Sequence, residues 1–124
     1  MENKLNTINE LQELSRKLRI RTIETSAKAK IPHLGSCLSC IEILTTLYWG
    51  ELRVDPKDPM NNMRDRFVLS KGHGAPILFQ VLAEKGYYPI ADLDEFGKDG
   101  SVFHEHPPKP GYIAGIEAAT GSLG

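Results

Sequence analysis

The chain has 124 residues, enough for one domain with its own core, and 15 basic against 16 acidic side chains leave a formal charge of −1. That balance excludes a generalised attraction for nucleic acid or for an anionic membrane, so partners must be recognised locally. No apolar run nears membrane-spanning length, and the opening MENKLNTINELQEL has neither an apolar signal core nor an Arg-rich, acid-poor transit pattern, which predicts a cytoplasmic protein.

No repeat, low-complexity tract or long linker interrupts the sequence, so residues 1–124 read as one unit. From Thr7 onward Ile8, Leu11, Leu14, Leu18 and Ile23 recur at spacings of three to five, with Thr7 and Glu10 as a capping box. This predicts a long amphipathic helix ending near Lys30, because Pro32 disfavours helical geometry at the residue before it. A turn containing His33 follows. Leu38, Ile41, Leu44, Leu47 and Tyr48 then trace a second apolar stripe, predicted as one helix that Ser36 or Ser39 caps and Gly50 closes. The segment LRVDPKDPMNNMRDR reads as an ordered surface loop, and Phe67-Val68-Leu69 as a short buried strand. After Gly72-His73-Gly74, Pro76 is placed as a first helical residue, with Ile77, Leu78, Val81 and Leu82 as an apolar face until Gly86. A short helix around Leu93 and Phe96 comes next. GKDGSVFHEHPPKPGYIAG is a loop, and the ending IEAATGSLG reads as cut rather than finished, since its glycine pair would normally prepare another helix.

Cys37 and Cys40 form a lone C-x-x-C. A thioredoxin-like pair belongs in a βαβ setting and a zinc ribbon needs a second pair, so core-filling thiols are expected. Redox chemistry, or zinc with His33 as a third ligand, remain the rival readings.

A strand entering a glycine turn and a helix start leaves unpaired amides at the positive end of a helix dipole, a setting that favours phosphate. The nucleotide fingerprints nonetheless fail. Gly72 and Gly74 supply G-x-G, but Ile77 stands at the third glycine position, and no G-x-x-x-x-G-K-[ST] occurs. All four histidines, His33, His73, His104 and His106, lie in turns bearing glycine or proline. Imidazoles give or accept a proton near neutral pH and bond phosphate and sugar hydroxyls, so histidines meeting in one cleft suit polyol phosphate chemistry. A histidine metal site lacks H-x-x-x-H spacing and a carboxylate cluster. Its best support is His104-Glu105-His106, whose alternation in a strand would point both rings one way.

The stretches PHLGSCLSCIEILTTLYW, NNMRDRFVLSKGHGAP, His106-Pro107 and GIEAATGSLG together resemble the N-terminal part of transketolase, in the form split between two polypeptides in many prokaryotes. LSKGHGAP is closer to transketolase than to deoxyxylulose phosphate synthase. The resemblance implies an α/β fold, the beginning of a parallel sheet flanked by helices, in the domain that grips the diphosphate of thiamine diphosphate. It implies ketol transfer between sugar phosphates. His73 would lie beside the coenzyme diphosphate, Gly121 and Leu123 would offer main-chain groups to the coenzyme, and His33 and His106 would be the substrate-channel histidines. His104 has no counterpart and reads as a solvated loop residue.

Pro32 departs from the family, which usually has glycine before the first histidine. The G-D-G and asparagine that hold magnesium in the family follow the TGSLG segment, and Gly97-Lys98-Asp99-Gly100 is no substitute, so magnesium ligands are expected outside this chain. The pyrimidine-binding domain is likewise absent from these residues. The resemblance therefore implies a partner, either a C-terminal transketolase subunit or a remaining length of chain, in a dimer or heterotetramer, with the isolated chain inactive. The alternative is a non-catalytic, truncated transketolase-like interaction protein that keeps its helical pair for association.

Overall fold

A computed structural model describes residues 7–104 and 107–120. Helix α1 spans Ile8–Ala29. Its start is the expected one: the Thr7 hydroxyl accepts from the Glu10 amide at 3.1 Å and donates to the Glu10 carboxylate at 2.9 Å. It ends on Lys30 in the left-handed region, φ 56°, with the Ile31 amide reaching back to the Ser26 carbonyl at 3.0 Å.

The buried face of α1 keeps part of the predicted aliphatic stripe, with Leu18 in the core and Leu11 and Leu14 packed against it, but small hydroxyl residues fill the rest. Ser15, Leu18, Thr22 and Ser26 face inward, while Ile8 is 74% exposed and Ile23 is also exposed. Small hydroxyl residues are accepted there because each hydroxyl whose bond is seen satisfies itself locally or across the seam. Thr22 donates to the Leu18 carbonyl at 2.8 Å, and Ser15 pairs with Thr45 at 2.8 Å.

The second predicted helix is broken. Helix α2 covers Leu34–Leu38 and α3 covers Ile41–Thr46, followed by a π-helical turn at Leu47–Glu51. Neither Ser36 nor Ser39 caps it. His33 is the N-cap residue, and Ser39 sits in the break, its hydroxyl donating to the Ser36 carbonyl at 3.0 Å. The competing side-chain bond and the buried thiol of Cys40 stop the helix where the apolar spacing alone would carry it on.

Helix α4, Ala75–Lys85, begins one residue earlier than predicted, with Pro76 inside its first turn, and ends on Gly86 at φ 108°. Ten of its eleven residues are buried, so it is the central helix that the others wrap. Leu18 of α1, Ile41 and Leu44 of α3, and Ile77, Phe79, Val81 and Leu82 of α4 fill the core. Phe79 meets Phe96 and Phe103 edge-on at 6.4 and 5.3 Å between ring centroids, which ties the short 3-10 segment Ile90–Glu95 and the following loop onto α4.

The expected sheet is not observed: among the described residues there is no strand. Phe67, Val68 and Leu69 alternate half-buried, exposed and buried as a strand would, but no main-chain hydrogen bond joins them to another described residue. A strand exists only in its pairing, and the pairing is what this stretch lacks.

Candidate functional site

His33 and His73 meet. Their ring centroids lie 4.5 Å apart with the planes inclined at 56°. His33 reaches this place because Pro32 and the left-handed cap of α1 force a sharp entry into α2. His33 itself adopts φ 70°, and its side chain makes no capping bond. It shares the left-handed region with Lys30 alone among described non-glycine residues. A β-carbon in that conformation costs energy, and such outliers cluster at functional sites.

His73 sits in a single 3-10 turn, Gly72–Gly74, closed by the Gly74 amide donating to the Lys71 carbonyl at 2.9 Å. Both glycines are buried, yet neither has a positive φ. The special backbone that the sequence suggests at the two glycines is found at His33 instead. A β-carbon at Gly74 would stand 3.6 Å from the Cys40 sulfur, a Leu69 methyl and the Ser36 carbonyl, so the turn lies flush against α2. The Lys71 ammonium bonds the Ser39 hydroxyl, which puts a cation on the rim between the turn and α2.

The thiols behind this junction are buried and free. Burial pushes the Cys37 thiol up to about 11 and raises that of Cys40 as well. Both thiols lie inside the packed core, Cys37 among its most buried residues, in line with the expected core-filling cysteines. Among the described residues no group of three or more His, Cys, Asp or Glu side chains could hold a metal ion.

Of the other expected site residues, His104 is exposed on its loop, and His106, Gly121 and Leu123 lie outside the described residues. Two features escaped the sequence. The Thr120 hydroxyl, next to Gly121, is buried without a hydrogen-bond partner among the described residues. Arg64 grips Glu117 with two parallel bonds of 2.8 Å, tying the loop before Phe67 to the segment that leads to Gly121. Nothing in the spacing of residues so far apart signals that pair.

The two imidazoles thus stand ring to ring beside the start of α4, and Lys71, at the entry to the His73 turn, bonds Ser39 at the end of α2. Residues 11–124 match the family described as transketolase, thiamine diphosphate binding domain, and the chain belongs to that family. It is 41% identical over 115 residues to the 6-deoxy-6-sulfo-D-fructose transketolase subunit SqwG of Clostridium sp. (strain MSTE9), covering 93% of this chain and 42% of that protein. Against human transketolase the identity is 42% over 115 residues, 92% of this chain and 18% of the other. The structure of transketolase from Leishmania mexicana superposes with a TM-score of 0.84 at 29% identity, covering 92% of this chain and 17% of that one. The chain thus spans less than half the length of each of these relatives. No helix among the described residues is long and apolar enough to cross a membrane.

Proposed function

We propose that this chain supplies the diphosphate-gripping part of a transketolase, which moves a two-carbon ketol unit from a ketose phosphate to an aldose phosphate. The observation that carries the reading is the 4.5 Å approach of His33 and His73 at the start of α2 and α4. The residues fit the coenzyme. A diphosphate needs donors: the His73 ring and the Lys71 ammonium can serve, and the buried hydroxyl of Thr120, the first residue of TGSLG and without a partner among the described residues, is a further one. When bound, thiamine diphosphate supplies the carbon nucleophile that the sugar carbonyl accepts.

The chain's own residues then do the positioning. His73 holds a phosphate oxygen, and Gly121 and Leu123 offer main-chain groups to the coenzyme. His33 and His106 bind the ketose hydroxyls and hold or release protons at the oxygens where charge develops. A magnesium ion accompanying the diphosphate would take its ligands from outside these residues. Phe67, Val68 and Leu69 become a strand of a parallel sheet when the rest of the domain is in place, giving the α/β architecture. The proposed assembly is cytoplasmic, a dimer or heterotetramer with a C-terminal transketolase subunit or a further length of chain. The subunit names of relatives such as the Clostridium protein support that partner.

Calorimetry tests the reading. Thiamine diphosphate with magnesium, titrated into the chain mixed with a C-terminal transketolase subunit, is expected to bind, and His73→Ala to weaken binding by about tenfold or more, the loss of one charge-assisted hydrogen bond. Absence of both binding and ketol transfer in the complex would leave the interaction-protein reading instead.

A further inference from the structure

Beneath the two imidazoles lie two thiols that the proposed function does not use. Helix α2 is five residues long, too short to hold its shape unaided, yet it carries His33 at its N-cap and must keep that ring in register with a turn some forty residues away. Besides the Lys71–Ser39 bond on the outside, what joins the two elements within the core is sulfur. Cys37, 1% exposed, donates to the main-chain carbonyl of His73 itself, with Sγ and O 3.8 Å apart. Cys40 bonds back to the Ser36 and Cys37 carbonyls of α2 at 3.6 Å, and its sulfur stands 3.6 Å from where a β-carbon of Gly74 would be.

We propose that Cys37 and Cys40 are positioning residues: as protonated thiols they hold the Gly72–Gly74 turn against α2, and so set the approach of the His73 ring to the His33 ring. Cys37 acts by a directed bond to the residue that carries the imidazole. Cys40 acts by contact, a surface that Gly74 is small enough to meet. Burial raises both thiol pKa values further above neutral, so the S–H donor of the Cys37 bond is kept at neutral pH. The alternative roles of a C-x-x-C pair need thiolates, and this setting disfavours them. The catalytic importance of the clamp rests on the function proposed above, but its geometry does not.

The test is therefore made without coenzyme. In the full chain, a nuclear Overhauser cross-peak between the ring protons of His33 and His73 reports their approach, and the exposed His104 serves as an internal control. Cys37→Ala removes the donor and is expected to abolish the cross-peak and shift the His73 ring resonances, leaving those of His104 in place. Cys37→Ser keeps a donor of similar size and is expected to restore the cross-peak. Persistence of the cross-peak in Cys37→Ala, or its equal loss in a folded Cys37→Ser, overturns the proposal. Should Cys37→Ala fail to fold, Cys40→Ala provides the second arm: a displaced His73 resonance supports the clamp and an unmoved one refutes it. Thiamine diphosphate binding, measured separately with the partner subunit, can fail without touching either result.

Discussion

A histidine at φ 70° is held there by its neighbours, since a side chain in the left-handed region meets its own carbonyl. The His33→Gly variant removes that conflict at the cost of a more flexible unfolded chain. It is expected to raise stability by up to about 1 kcal/mol, while losing the imidazole from the site. Urea denaturation read by far-UV circular dichroism measures this, and a variant less stable than the parent would show that His33 is not strained. The motif around His73 was legible in the sequence because glycines flank it, and the family resemblance named both rings. That the strain falls on His33 was not legible. It arises where the α1 cap, Pro32 and the α2 start meet, and depends on how two helices enter a common turn.

Among the helices, ends were easier to read than faces. The Thr7 cap, the stop at Lys30 and the stop at Gly86 follow from local chemistry, in which a hydroxyl meets a free amide or the chain must turn left-handed. The inward face of α1 does not. Ser15, Thr22 and Ser26 look like surface residues until the partners that let α1 approach α3 and α4 closely are known. The outer edge of that seam carries an acid-sensitive link. Burial works to raise the Glu84 pKa, but the Arg21 guanidinium at 2.7 Å and the Lys17 ammonium at 3.0 Å outweigh it, so its carboxyl is held below the ordinary value of 4.5. A depressed folded-state pKa stabilises the fold above pH 4.5, and the contribution is lost as the pH falls from there through the folded pKa. Glu84→Gln is therefore expected to melt at a lower temperature than the parent near neutral pH. The gap should close on acidification, and thermal melts across that range check it. A gap that stays constant with pH would mean the carboxylate is not what Arg21 and Lys17 hold.

At the scale of the whole molecule, the discrepancy between sequence and structure has one physical origin. The apolar run of Phe67, Val68 and Leu69 is legible in the sequence and is what suggests a buried strand, whereas the alternation of their burial belongs to the fold. Pairing is a property of two segments. No strand forms among the described residues, and the transketolases that this chain resembles are several times longer. Val68 shows the consequence most plainly, a β-branched residue half exposed in the middle of an apolar run. The substitution Val68→Asp separates the two states. In the chain alone it is expected to change stability by no more than about 0.5 kcal/mol, as an exposed site should. In the complex with a C-terminal transketolase subunit, or in a longer chain, the same carboxylate would be taken into a sheet without a partner and is expected to block assembly. Hydrogen exchange gives the matching signal. The amides of residues 67–69 should exchange freely in the isolated chain and slow by roughly tenfold or more, the protection of a ladder hydrogen bond, once the sheet is complete. If Val68→Asp assembles as well as the parent and those amides stay unprotected in the complex, the stretch is a loop in the finished protein and the sheet must form elsewhere.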